Sequence, residues 1–488
     1  MKKNFQLFSV VTILAVISLS TSANAQRIAA GGWHSVVVCN DSTVKAFGEN
    51  ATGELGNASN TDSNVPVTAI GLSKIIAVSG GGDQLEAHSM ALKNDGTVWA
   101  WGSNLYGGLG NGNTTNTNTP GQVLLLTNVI AISAGGWHST ALKSDSTVWT
   151  WGWNIDGQIG DGTLVDKTIP TMVPGLTSVK EIAAGTYHVL ALKSDGTVWA
   201  WGDNVSGQIG DGSTTDRTSP VQVTGLTNVA HIAAGRFFSL AVKTDGTVWT
   251  WGENLYGQLG NGTLTDSHVP VQVTGLTGIT SATAATGAFH CMAVKNDNTV
   301  WAWGRNTYGN LGDGTVTHRS TPVQMQGISD VVGLAAGTNF SLLFKSDGTF
   351  WGCGRNASGQ LGDGTFLQRN TVVQATAMCP ILLPEEPVGI DAVENTNISQ
   401  IVAYPNPSTT GEFTVMIKNN SLNTQSTNKC KIEIYNIIGE LIFQSELNQQ
   451  QLNSPIQIDL SNKSNGVYFL NTIIGNTKFN QKLIIQNN

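Results

Sequence analysis

Val198-Trp199-Ala200-Trp201-Gly202, followed at once by Asp203-Asn204-Val205-Ser206-Gly207-Gln208-Ile209-Gly210-Asp211-Gly212, is the stretch on which the reading of this chain turns. The Trp-Gly step or its equivalent falls at Gly48, Gly102, Gly152, Gly202, Gly252, Gly304 and Gly354, with spacings of 54, 50, 50, 50, 52 and 50 residues. Seven near-identical units of this length point to a repeat architecture. In a strand, residues two apart share a face, so Trp199 and Trp201 pack one way and Val198 and Ala200 the other, large against small between neighbouring sheets.

Around that strand each unit divides into four. In the fourth unit, strand A is expected over 179–184, B over 189–193, C over 197–202 and D over 220–224. Ser194-Asp195-Gly196 joins B to C as a tight hairpin and recurs at Asp95, Asp245 and Asp347, with the glycine replaced after Asp41, Asp145 and Asp297. Four-stranded antiparallel units repeated radially close on themselves and so remove exposed sheet edges. The predicted fold is all-β: a seven-bladed propeller over residues 26–379, then a linker over 380–397 and a small antiparallel β-sandwich over 398–488. Fifty-seven glycines and only 12% charged residues among 488 agree with short strands and tight turns rather than helices.

The N-terminus reads as a signal peptide over residues 1–25. Lys2 and Lys3 precede an apolar run from Phe5 to Leu19, and Ala23-Asn24-Ala25 follows. The run is shorter than the ~20 residues a membrane span needs. With the two lysines removed, the formal net charge moves from −8 to −10. An acidic exported protein without a basic stripe is a poor nucleic-acid binder. Five cysteines are too few for a disulfide scaffold and lack metal spacing.

The repeat pattern Asp-Gly-Thr-Val-Trp-x-Trp-Gly-x-Asn-x-x-Gly-Gln-[Leu/Ile]-Gly-[Asp/Asn]-Gly-Thr, with Pro-Val-Gln-Val and Ala-Ala-Gly-x-x-His, resembles that of the regulator of chromosome condensation family from about Arg27 to Met378. The resemblance implies a seven-bladed propeller. Secreted bacterial propellers of this repeat type hold another protein with one loop face, and the nucleotide-exchange activity of the eponymous nuclear member is not carried over. From Ile398 onward, Tyr404-Pro405-Asn406-Pro407, Gly411-Glu412-Phe413, Asn436-Ile437-Ile438-Gly439 and Asn465-Gly466-Val467-Tyr468 resemble the type A sorting domain of type IX secretion. That resemblance implies passage across the outer membrane, a secreted or cell-surface destination and removal of the domain afterwards.

No enzyme signature is present: no G-x-S-x-G elbow, no H-E-x-x-H and no Walker loop. The recurring His34, His88, His138, His188 and His290 give way to Phe238 and Phe340 in two units. A packing position tolerates that exchange and a metal ligand does not, so these histidines are expected to pack and to hydrogen-bond backbone. Asp161, Asp211, Asp313 and Asp363 with their Asp-Gly turns offer too few oxygens per loop for calcium. No metal and no cofactor are expected.

Binding residues are sought on the loops joining A to B and C to D, which must share one face. The residue before the recurring His or Phe is Trp33, Ala87, Trp137, Tyr187, Phe237, Phe289 and Asn339, and the C–D loops add Tyr106, Trp153, Tyr256 and Tyr308. Aromatic side chains dominate interface hot spots. The expected function is an exported, monomeric propeller that binds a protein or a glycan there, with a propeller lyase or hydrolase having an axial active site, or a passive surface protein, as alternatives. The insertion Gly82-Asp83-Gln84-Leu85-Glu86 is expected to be a protease-sensitive loop facing the partner. Cys39 stands where other units end strand B with lysine, and Cys379 falls in the turn leading back toward the first unit, so the two are candidates for a disulfide closing the ring.

Overall fold

The computed structural model describes residues 27–39, 41–83, 86–284, 286–376, 379, 398–404, 408, 410, 412–419, 430–436, 441–447, 456–463, 466–474 and 477–485. The signal peptide and the linker lie outside the described residues. The chain forms two compact units, 1–382 and 383–488.

The first unit holds seven four-stranded antiparallel sheets, each built from four strands consecutive in sequence. In blade 4 these are A (Val179–Ala184), B (His188–Lys193), C (Val198–Gly202) and D (Arg217–Gln222). Strand D starts three residues earlier than the sequence suggests. It joins C through the pair Gly202↔Arg217, and the register then slips before Ala200↔Val221. An outer edge strand with no buried face carries no apolar alternation to mark its start.

Seven apolar clusters fill the seven gaps between blades. Between blades 3 and 4, Trp199 and Trp201 meet Leu142 and Val148, while Val198 and Ala200 turn to the next gap and meet Ile232, Ala241 and Trp251. The seventh cluster joins Ala335, Phe340 and Leu342 of blade 7 to Ile28, Val37 and Phe47 of blade 1, and Cys39 and Cys379 are bonded across the same seam with Cα atoms 5.3 Å apart. Cys291 and Cys353 are buried within strands.

Four of the five recurring histidines bind side chains of the neighbouring blade, not backbone. His34, His88, His188 and His290 place Nε2 2.8–2.9 Å from Ser89, Ser139, Ser239 and Ser341 of the following blade. Those serines donate in turn to carbonyls of Glu54, Gly108, Gln208 and Asn310 in the preceding C–D loop. A hydroxyl that gives its proton to a carbonyl must accept from the imidazole, which fixes the Nε2–H tautomer. Burial holds these imidazoles far below the usual range, His34, His188 and His290 at about 3 and His88 at about 4.

The second unit pairs a three-stranded sheet with a four-stranded one. Its core contains Phe413, Val415, Ile432, Ile434, Tyr468, Leu470, Leu483 and Ile485. This is the expected small antiparallel sandwich.

Candidate functional site

Each C–D loop is locked by the asparagine two residues past the Trp-Gly step. Asn204 is fully buried, its side-chain oxygen accepts from Ile209 N (3.0 Å), its amide donates to Ser213 O and Thr215 O (3.1 and 3.0 Å), and its backbone N reaches Asp216 (2.9 Å). The loop aspartates close turns: Asp211, Asp313 and Asp363 accept from the Ser or Thr two residues on and pair with Arg217, Arg319 and Arg369. Among the described residues no three His, Cys, Asp or Glu side chains are grouped to hold a metal ion.

The A–B and C–D loops do share a face. In every blade the backbone N of the residue after the Trp-Gly step donates to the carbonyl of the residue before the recurring His or Phe, as in Asp203 N to Tyr187 O (2.9 Å) and Arg355 N to Asn339 O (2.9 Å). Two rings of variable side chains therefore stand in register around the axis: the aromatic one, and a second composed of Glu49, Ser103, Trp153, Asp203, Glu253, Arg305 and Arg355.

The rings of blades 2 to 5 form one continuous cluster. Tyr106 meets Trp137 and Trp153 at 6.4 and 5.8 Å between centroids, Trp137 meets Trp153 and Tyr187 at 5.1 and 5.7 Å, and Tyr187 stacks on Phe237 at 4.9 Å. Each is half-buried by its neighbours, so these residues both cap the core and offer an edge to solvent. Beside them, and not singled out from the sequence, Leu105, Ile155, Val205 and Leu255 are 51–65% exposed on the C–D loops of the same four blades. Tyr256 meets Phe289 edge to face at 5.5 Å, and Phe289 is only 7% exposed, which removes it from the available surface. Trp33 and Tyr308 lie beneath or beside Arg355, whose guanidinium carbon is 3.8 and 5.9 Å from their centroids.

Polar contacts cross the axial mouth on this face. Thr286 of blade 6 donates to Ala134 O of blade 3 and Ala184 O of blade 4 (2.9 and 3.2 Å). The start of the blade 2 insertion is held to the ring: Gly82 N bonds Gly135 O, and Asp83 pairs with Arg236 of blade 5 at 2.6 Å and accepts from Tyr187 Oη at 3.5 Å. Gln84 and Leu85 of that insertion lie outside the described residues. Behind these contacts lies a cavity of about 220 Å³ walled mainly by Ala, Ile and Ser, with the Glu181 carboxylate and the His231 imidazole 3.5 Å apart in its wall.

Carboxylates on the face are held partly neutral. Burial, with Glu54 and Asp62 nearby, pushes Glu49 up to about 8, and burial with Asp156 and Asp216 nearby pushes Asp203 up to about 6.

A family model described as the RCC1-like domain matches residues 10–288, more than half of the chain, and RCC1 repeat models match 297–344, 282–310 and 331–360. The chain belongs to the RCC1-like domain family. The RCC1-like chain is 34% identical over 97 residues to the human E3 ubiquitin-protein ligase HERC2, a match spanning 19% of the chain and 2% of HERC2. It is 31% identical over 121 residues to the Arabidopsis thaliana ultraviolet-B receptor UVR8, spanning 24% of the chain and 27% of the receptor. The chain thus spans well under two thirds of these relatives. Its fold is similar to that of Prp20p from Saccharomyces cerevisiae (TM-score 0.61, 22% identity, 73% of this chain and 89% of that one) and of human WBSCR16 (0.58, 24%, 66% and 88%). Residues 402–486 match the secretion system C-terminal sorting domain. This RCC1-like propeller is accordingly a secreted or cell-surface protein exported through type IX secretion, and no helix among its described residues is long and apolar enough to cross a membrane.

Proposed function

We propose that the exported propeller holds a protein partner against its A–B and C–D loop face and carries out no chemistry of its own. The observation that carries this reading is the apolar crescent over blades 2 to 5, where Leu105, Ile155, Val205 and Leu255 stand exposed beside Tyr106, Trp137, Trp153, Tyr187 and Phe237. Exposed aliphatic side chains grouped with rigid aromatics mark protein interaction surfaces. A glycan stacks on the open face of a ring, and here the rings are turned into one another, which favours protein over glycan. An axial active site draws little support, since Thr286 and the Asp83–Arg236 pair bridge the mouth on this face.

The test uses Leu105→Asp combined with Leu255→Asp, because truncating the mutually packed rings would also disturb folding. The mature protein is screened against purified extracellular proteins and a glycan array. A protein ligand whose retention falls more than ten-fold in the double variant at unchanged melting temperature is expected. Retention unaffected by the variant, or capture of glycans alone, would overturn the proposal.

A further inference from the structure

Four of the seven arginines between residues 27 and 379 are tied to an acid. Arg217, Arg236, Arg319 and Arg369 lie 2.5–2.8 Å from Asp211, Asp83, Asp313 and Asp363. Two arginines depart from that pattern, and both stand on the loop face in neighbouring blades. Arg305 and Arg355 occupy the same ring position, one residue past Gly304 and Gly354, with backbone N bonded to Phe289 O and Asn339 O (both 2.9 Å). Among the described residues neither has a carboxylate within ion-pair distance. Aromatic rings hold them instead: Arg305 over Tyr256 and Phe289 at 5.1 and 5.4 Å, Arg355 over Trp33 and Tyr308 at 3.8 and 5.9 Å. Each guanidinium thus rests on a tyrosine of the preceding blade's C–D loop, Arg305 on Tyr256 and Arg355 on Tyr308.

A guanidinium resting on a ring is oriented at little cost in side-chain freedom and keeps N–H donors for a bidentate acceptor. Arg305 spends one such donor on Thr307 Oγ1 at 3.2 Å. Glu49, the acid that feels Arg355, is buried, and its Oε2 has no hydrogen-bond partner. Its raised pKa leaves it largely protonated at neutral pH, so the charge on Arg355 is not cancelled. Two uncancelled, prepositioned cations on an otherwise acidic protein, adjoining an apolar crescent, match one partner chemistry by charge complementarity.

We propose that Arg305 and Arg355 form an anion fork that takes side-chain carboxylates from an acidic segment of the partner protein, while the crescent over blades 2 to 5 takes that partner's apolar residues. The inference rests on the reading of this face as the binding face and names the partner's chemistry. An unpaired arginine fork meeting a carboxylate makes charge-assisted, two-pronged hydrogen bonds, stronger than neutral ones.

The probe is a fluorescein-labelled glutamate oligomer, with its glutamine counterpart and a heparin fragment as controls, titrated against the mature chain by anisotropy at low salt. The glutamate oligomer should bind at least ten-fold more tightly than the glutamine one, and Arg305→Gln with Arg355→Gln should abolish the difference. Should that variant not fold, Arg305→Lys with Arg355→Lys keeps both charges and removes the forks, and a several-fold loss is expected. Equal binding of the two oligomers, a preference undiminished in either variant, or binding of heparin alone overturns the fork. Against any protein partner found, retention that needs Leu105 but not the arginines leaves the crescent standing and removes the fork; retention that needs the arginines but not Leu105 does the reverse.

Discussion

His138 is the one recurring histidine whose ring nitrogens both lack a partner while fully buried. The reason sits in the next blade, where Val189 occupies the place that Ser89, Ser139, Ser239 and Ser341 fill elsewhere. Phe238 faces Cys291 in the same way without leaving a polar atom stranded. His138→Phe should therefore raise stability by about 1 kcal/mol, the usual penalty of an unsatisfied buried group. Phe238 and Phe340 already fit beside Gly235 and Gly337 as His138 fits beside Gly135. The same change should soften the acid limb. Burial first, then His88 and His188, lower the folded pKa of His138 to about 3, whereas the unfolded ring titrates near 6.5. The unfolded state thus binds more protons between those values, and stability is lost as pH falls from about 6.5 toward 3, at about 1.4 kcal/mol per unit per histidine. Glu49 and Asp203, with raised folded values, act in the opposite sense at higher pH. Urea unfolding at pH 7.5, 5.5 and 4.5 checks both expectations; a variant less stable at pH 7.5, or one with an unchanged slope, contradicts them.

The C–D loop is the element on which the binding face depends, and its rigidity comes from one side chain. Asn204 satisfies three backbone groups of its loop, accepting from one N–H and donating to two carbonyls. Asn204→Ala should cost about 3 kcal/mol, three hydrogen bonds at roughly 1 kcal/mol each. It should also open residues 205–216 to protease while strands A, B and C of blade 4 keep their protection. Cleavage elsewhere first, or no loss in a denaturant titration, would show that packing by Ile209 alone holds the loop. Trp201 anchors the neighbouring loop in the same spirit, its Nε1 donating to Gln158 O at 2.9 Å, and Trp101, Trp151, Trp251 and Trp303 do the same for the loops before them, so five of the seven blades hold the preceding loop in this way.

At the scale of the whole molecule, the ring must join its own ends, and blade 1 is the weaker side of that joint. Its strand A is three residues, Ile28–Ala30, against six in blades 2 to 5 and 7. Lysine over tryptophan braces the outer end of five other blades, at Lys93, Lys143, Lys193, Lys243 and Lys345. Blade 1 has Lys45 in the tryptophan position and Cys39 in the lysine position, and the disulfide to Cys379 stands where that brace would be. Cys39→Ser with Cys379→Ser should leave a folded propeller, since the apolar cluster at the seam remains. It should cost about 2–4 kcal/mol, because a bond spanning 340 residues restricts the unfolded chain strongly. Amide exchange should accelerate first at 28–30 and 369–374, and uniform exchange across all blades would contradict a local seam.

Seven blades, the antiparallel order, the two faces and the pairing of Cys39 with Cys379 were legible in the chain, because each is set by periodicity or by a residue breaking it. Trp201 announces a buried strand wherever it stands, and Gly202, at φ +105° with Tyr187 O 2.6 Å from any added Cβ, admits no other residue. Partnerships between blades were not legible in that way. His188 and Ser239 lie 51 residues apart and meet only once the blades are stacked, although the serine that follows five of the seven recurring His or Phe residues was a visible trace of it. Arg305 and Arg355 read as ordinary surface cations in the chain; only the fold reveals that they share a face, rest on rings and lack the acids that bind their counterparts. Local sequence determines which backbone each unit adopts, since strand and turn propensities act over a few residues. Which polar groups are satisfied and which are left waiting depends on neighbours half a hundred residues away, and that only the closed ring decides.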